Sequence, residues 1–167
     1  MKTEHLSSGI FKPGRHLEIY ENEGHDPYQS QGKLAEPSAC PDCSAVYTDG
    51  QWQWITAPGD AQSVKCPACR RIHEKIPAGY VTIAGEFVQA HLDELKSLIQ
   101  TLSSNEKSAH PMQRLMSIED QDSGALITTT NIRLARRIGE ALHKAYKGQL
   151  DFKYNEAEHL LRVRWER

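Results

Sequence analysis

Cys40, Cys43, Cys66 and Cys69 are the only cysteines in the chain, and they come as two Cys-x2-Cys pairs, "CPDC" and "CPAC". A thiolate is a soft ligand, and two of them two residues apart can turn towards one ion while neighbouring backbone amides face the sulfurs. The pairs are separated by 22 residues, enough for a hairpin that folds back and sets the second pair beside the first. The spacing therefore predicts one tetrahedral four-sulfur site holding a structural Zn2+. Proline follows the first cysteine of each pair and pre-sets the turn. After the second cysteine, where glycine is common, stand Ser44 and Arg70.

Other chemistries fit these residues less well. A redox dithiol needs one such pair beside a β-α-β pattern, not two pairs bridging a hairpin. A zinc deaminase would combine His16 and Glu18 of "HLE" with Cys40 and Cys43. Ala39 stands where that motif has proline, and Cys66 and Cys69 would then have no role. A site filled by four sulfurs has no open position for water or substrate, so the expectation is a protein that is not an enzyme. His73 could replace one thiolate, but four cysteines already fill the shell, so it reads as an ordinary surface or packing histidine. No phosphate-cradling Gly-x-x-x-x-Gly-Lys-Ser/Thr, nucleophile Gly-x-Ser-x-Gly or zinc-protease His-Glu-x-x-His occurs.

The second chemically suggestive set is cationic. The whole chain carries a formal charge of −2, yet residues 125–167 hold nine basic side chains against five acidic ones. On a helix over 132–147, Leu134, Ala135, Ile138, Ala141, Leu142, Ala145 and Tyr146 fall on one side at about 100° per residue. Arg133, Arg136, Arg137, Lys144 and Lys147 gather opposite them. Arg162 and Arg164 project from one side of the last strand, and Arg70 and Arg71 follow the second cysteine pair. Clustered cations of this kind suit a phosphate backbone, against the plainer reading of a solvated helix face. No RNP signature or Gly-x-x-Gly loop points to a specific readout. Tyr47, Trp52 and Trp54 could stack on bases, although in so small a module at least one tryptophan is expected to pack the hairpin.

Four segments position these residues. Residues 1–38 are polar and rich in Gly and Pro, and read as a flexible or extended arm. Residues 39–80 form the metal module, with "AVYTDGQWQW" as a hairpin turning at Asp49-Gly50. Residues 81–109 read as a helix, with Phe87, Val88, Leu92, Leu95, Leu98, Ile99 and Leu102 on one side, followed by the polar linker "SSNEKSAH". Residues 110–167 read strand, strand, helix, strand, strand, with Asn131 as helix cap and Gly148 at its end. The predicted class is α+β, a zinc ribbon followed by a ββαββ module whose one helix packs on a four-stranded, antiparallel-rich sheet. No apolar run could span a membrane and no secretory h-region opens the chain, so a cytoplasmic location is expected.

Taken together, "HDPY…GKLAEPSACPDCSAVY", "CPACRRI…PAG" and "LARRIGEALHKAYKGQLDF" resemble a family of small bacterial four-cysteine zinc-ribbon proteins, over most of the chain from about His25. More remotely, the chain is similar to the amino-terminal half of the nonsense-mediated-decay-related export adaptor of the large ribosomal subunit. Gly124, Leu126, Ala135, Ile138 and Leu142 match the pattern of its α+β module. The resemblance carries over Cys40, Cys43, Cys66 and Cys69 as metal ligands and implies binding to the ribosome or to structured RNA. The adaptor's additional cysteine pairs, further domains and export signals have no counterpart here. The alternative expectation is a protein–protein adaptor with a structural zinc site and no nucleic acid.

Overall fold

Val46-Tyr47-Thr48 and Gln51-Trp52-Gln53 can pair only through a two-residue reversal. Asp49 (φ 52°) and Gly50 (φ 76°) supply the left-handed conformations it requires. The structure is a computed structural model that describes Tyr28 and residues 34–167, so most of the segment read as an arm lies outside the described residues. The hairpin strands are β2 (Val46–Thr48) and β3 (Gln51–Gln53). β1 (Ser38–Ala39) pairs antiparallel with β2 and parallel with β4 (Gln62–Ser63), giving the sheet order β3-β2-β1-β4. Ser38 is fully buried in this sheet, which thus starts one residue inside the proposed arm.

A helix, α1 (Pro67–Glu74), follows directly. The Cys66 side chain accepts the Cys69 N–H as its N-cap, and Pro67 occupies the first turn, where a missing N–H costs nothing. Lys75, at φ 57°, ends it.

The second sheet contains β5 (Gly79–Ala84), β6 (Leu115–Gln121), β7 (Gly124–Thr129), β8 (Gln149–Asn155) and β9 (Leu160–Glu166), in the order β6-β7-β5-β9-β8. With α4 (Ile132–Tyr146) between β7 and β8, the expected strand-strand-helix-strand-strand succession is present. The sheet has five strands rather than four, because β5 enters its centre, antiparallel to β7 and parallel to β9. β5 also crosses the boundary drawn at residue 80. α2 (Glu86–Ala90) and α3 (Leu92–Ala109) come from the single helix expected there, interrupted at His91. The stretch read as a polar linker is the last two turns of α3. Ser103 is buried, and Glu106 meets Arg137 of α4 at 2.9 Å.

Val81, Ile83, Ile127, Leu161, Val163 and Trp165 are buried on the helix-covered face of the sheet. Leu95 and Ile99 of α3 and Leu134, Ile138 and Leu142 of α4 pack with them. Trp165 is fully buried, and its Nε1–H donates to Lys147 O at 2.7 Å, which satisfies the indole and ties down the end of α4. Gly139 lets α4 lie close. A Cβ there would stand 2.6 Å from Val163 Cγ1 and 3.0 Å from Leu150 Cδ1. Asn131 caps α4 by accepting the Arg133 N–H at 2.8 Å.

Candidate metal centre

The parallel β1–β4 pairing brings the two cysteine pairs together. Ala39 sits opposite Ser63, and Val64 N–H donates to Ala39 O at 3.0 Å, so the chain leaves both strands side by side into Cys40 and Cys66. The Cys66 amide then donates to Cys40 Sγ and the Cys69 amide to Cys66 Sγ, both at 3.3 Å. In the first pair, Ser44 takes φ 68° in the position where glycine is commonest, and its N–H closes the turn on Cys40 O at 2.9 Å. The second pair needs no such residue, because Arg70 continues a helix, its N–H reaching Cys66 O at 3.0 Å.

All four sulfurs lie within 4.8 Å of one another and none is in a disulfide. Cys43 Sγ and Cys66 Sγ are 3.7 Å apart. A disulfide would require about 2.05 Å, whereas a tetrahedron with metal–sulfur bonds of about 2.3 Å has edges of about 3.8 Å. The cluster therefore has the dimensions of a four-thiolate metal site. Cys40, Cys66 and Cys69 are buried, with Trp52 and Met112 packed against them. His73 is exposed on α1 and is not among the clustered groups. His16 and Glu18 lie outside the described residues.

Electrostatics prepare the site unevenly. Burial pulls the Cys40 thiol upward, but the amides of Cys66, Cys43 and Asp42 outweigh it and bring the pKa down to about 7. Burial pushes Cys66 and Cys69 up. Four thiolates around a divalent ion leave a charge of −2, and Lys65, Arg70 and Arg71 are the nearest cations in sequence. Lys65 pairs with Asp42 at 3.1 Å. Arg70 is exposed, and Arg71 donates to Ile76 O at 3.1 Å.

Arg114 faces the sulfurs. Its Nη1 donates to Cys69 Sγ at 3.2 Å and its Nη2 to Cys43 Sγ at 3.0 Å, with Cys66 Sγ at 3.7 Å. Nε donates to Pro111 O at 2.7 Å, and the backbone N–H donates to Thr130 Oγ1 at 2.9 Å, so the guanidinium is held from both ends. Burial alone would lower its pKa, but the donors it gives to Cys43 and Cys69 raise it. Arg114 belongs to the second sheet's entry, so it joins the cysteine cluster to the α/β body. Nothing in its local sequence announces it beyond an arginine standing at the head of an apolar strand, "QRLM".

The other cations separate into groups. Arg133, Arg137 and Lys144 are exposed along the outward side of α4, and Lys147 is exposed at its carboxyl-terminal cap. Arg136, expected among them, is only 4% exposed and pairs with Glu140 one turn on, at 2.9 Å. Arg71, 3% exposed, likewise does not present its charge to solvent. Burial with a carbonyl or carboxylate partner removes both from an outward stripe. Arg162 and Arg164 are exposed, but they alternate with the core residues of β9 and so lie on the sheet face away from α4. Arg162 stacks over Tyr80 at 4.8 Å, and Arg164 meets Glu166 at 3.2 Å. Among the described residues no helix is long and apolar enough to cross a membrane. No family model, curated protein or solved structure matches the chain.

Proposed function

We propose that this protein is a zinc-organised, non-catalytic RNA-binding accessory protein of the bacterial cytoplasm that associates with ribosomes, and that its first sheet is a zinc ribbon. Zinc is the ion that a compact set of four soft ligands with tetrahedral dimensions suits best, and a filled shell leaves no place for chemistry on a substrate. The observation that carries the RNA reading is the row of exposed cations on α4. Arg133, Arg137 and Lys144 fall within a sector of about 40° along about 17 Å of helix, and Lys147 stands at its carboxyl-terminal cap. Such a row meets consecutive phosphates and releases their counterions. The resemblance to four-cysteine ribbon proteins and to the export adaptor points the same way.

A second reading, a protein–protein adaptor, draws on Ile55, Ile72 and Ile76, which are 44%, 42% and 48% exposed. Sedimentation with ribosomes at two salt concentrations separates the two. Under the first reading the wild-type protein co-sediments at low salt and is released at high salt. Arg133→Glu with Lys144→Glu and Lys147→Glu lowers the dependence of log affinity on log salt by about 0.7 per cation removed. Co-sedimentation that neither salt nor the triple variant alters would favour the adaptor.

A further inference from the structure

Beside the cysteine cluster lies a cleft of about 660 Å³. Tyr47, Trp52 and Trp54 of the hairpin form one wall, the end of α3 and residues 110–113 form the floor, and Asn131 and Arg133 at the start of α4 form the far side. Three features describe what it accepts.

The first is the aromatic wall. Tyr47 and Trp52 meet at 5.4 Å with planes tilted by 57°, and Trp54 is 37% exposed. Trp54 is also fixed, because its Nε1–H donates to Lys107 O at 2.7 Å and the Arg114 guanidinium stands 5.6 Å from its ring. A rigid, partly exposed indole is a stacking platform for any planar ring.

The second is Gln113. This residue lines the cleft, is 7% exposed, and its Oε1 has no hydrogen-bond partner among the described residues. A buried amide oxygen without a partner costs stability unless something else meets it. A glutamine amide carries both an acceptor oxygen and an NH2 donor, so it can match either kind of group on a ligand edge.

The third is charge. The lining includes Arg133 and His110 and no carboxylate, although the chain holds 22 Asp and Glu residues. α4 begins at the cleft, so the positive end of its dipole adds to Arg133 there. A cationic ligand gains nothing from this lining, and an anionic one does.

We propose that this cleft holds one unpaired nucleotide of a single-stranded RNA segment. Its base lies on the tryptophan wall, its hydrogen-bonding edge meets Gln113, and its phosphate meets Arg133. The proposal rests on the RNA reading above and deepens it. Arg133 is both the amino-terminal member of the α4 cation row and a cleft residue, so a strand following the row runs into the cleft. Proline-rich peptides also use aromatic clefts, but they have no use for a cationic, carboxylate-free lining, and the nucleotide is favoured on that ground.

The test uses the zinc-loaded full chain and the octamers rU8, rA8 and rC8, read by tryptophan fluorescence. Trp165 is fully buried, so quenching on binding reports Trp52 and Trp54. The expected result is quenching by at least one octamer, with affinity differing among the three. Gln113→Met keeps the side-chain length and should reduce the spread among octamers. Trp54→Leu should weaken binding by about tenfold. Should Trp54→Leu fail to fold, the quenching and the Gln113→Met series decide alone. Octamers that bind without quenching, and indifferently to Gln113→Met, overturn the cleft proposal and leave the RNA reading standing. Absence of binding by every octamer and by ribosomes at low salt removes both. Quenching by a proline-rich peptide and by no octamer assigns the cleft to a protein partner and overturns the proposal.

Discussion

Replacing Arg114 by methionine keeps most of the aliphatic stem and removes the charge and its donors. The guanidinium makes two close N–H···S contacts, at 3.2 and 3.0 Å, to sulfurs that would share a charge of −2 around a divalent ion. A hydrogen bond to a charged acceptor contributes about 1.5–3 kcal/mol, so two at the low end give about 3 kcal/mol. That corresponds to roughly 150-fold in zinc affinity. In the metal-free protein the gain is smaller. Burial pushes the Cys66 and Cys69 thiols up, so the guanidinium, 6% exposed, meets less negative charge there than it would around a bound ion. Removing it is expected to cost the metal-free protein less stability than the metal-loaded one. Competition against a chromophoric chelator measures the first quantity, and thermal unfolding with and without zinc measures the second. A loss of affinity under about fivefold, or an equal fall in Tm for loaded and metal-free protein, would refute the assignment of Arg114 to the thiolate charge.

Stability of the metal-free form should fall as pH rises. Cys66 and Cys69 are raised by burial, so their contribution is present below the unfolded thiol value of about 8.5 and is lost above it, by about 1.4 kcal/mol per pH unit for each native proton retained. Cys40, lowered to about 7, contributes above 8.5 and loses that contribution as pH falls, so it does not oppose the trend in the alkaline range. Urea midpoints at pH 8.5 and 10 test this, and the zinc-loaded form, whose sulfurs carry no protons, should lack the slope. Chelation should also act locally. The cysteine cluster and the α/β core are separate sets of buried residues, so hydrogen exchange after zinc removal should accelerate through β1–β4 and leave β5 and β9 protected. Uniform loss of protection would show that the two sets unfold as one.

Much of the arrangement could be read from local patterns. The cysteine spacing, the Asp49-Gly50 turn, the Asn131 cap and the alternation of Leu161, Val163 and Trp165 each depend on a few neighbouring residues, and each takes the form expected. The misses have longer reach. "GYVTIA" alternates Val81 and Ile83 like any strand, but it lies between two glycine-flanked segments and its partners are about 45 and 80 residues away in sequence. The final turns of α3 are polar because only one side of them is covered. Helical periodicity put Arg136 beside Arg133 and Arg137 on the outer side, whereas it is buried and pairs with Glu140. Arg114 and Gln113 carry no motif at all. Their roles follow from the two sheets meeting, which no window of sequence displays.

The position of β5 between β7 and β9 sets an order of assembly during synthesis. β1, β2, β4 and all four cysteines emerge within residues 38–69, so the metal can be captured while most of the chain is still to be made. The middle strand of the larger sheet must then wait about 75 residues for its parallel neighbour, which at 5–20 residues per second is roughly 4–15 s. Through that interval Val81 and Ile83 lack one flank, and a chain cut short before residue 160 never acquires it. The small sheet is thus born early, and the large one closes only when its last strand arrives.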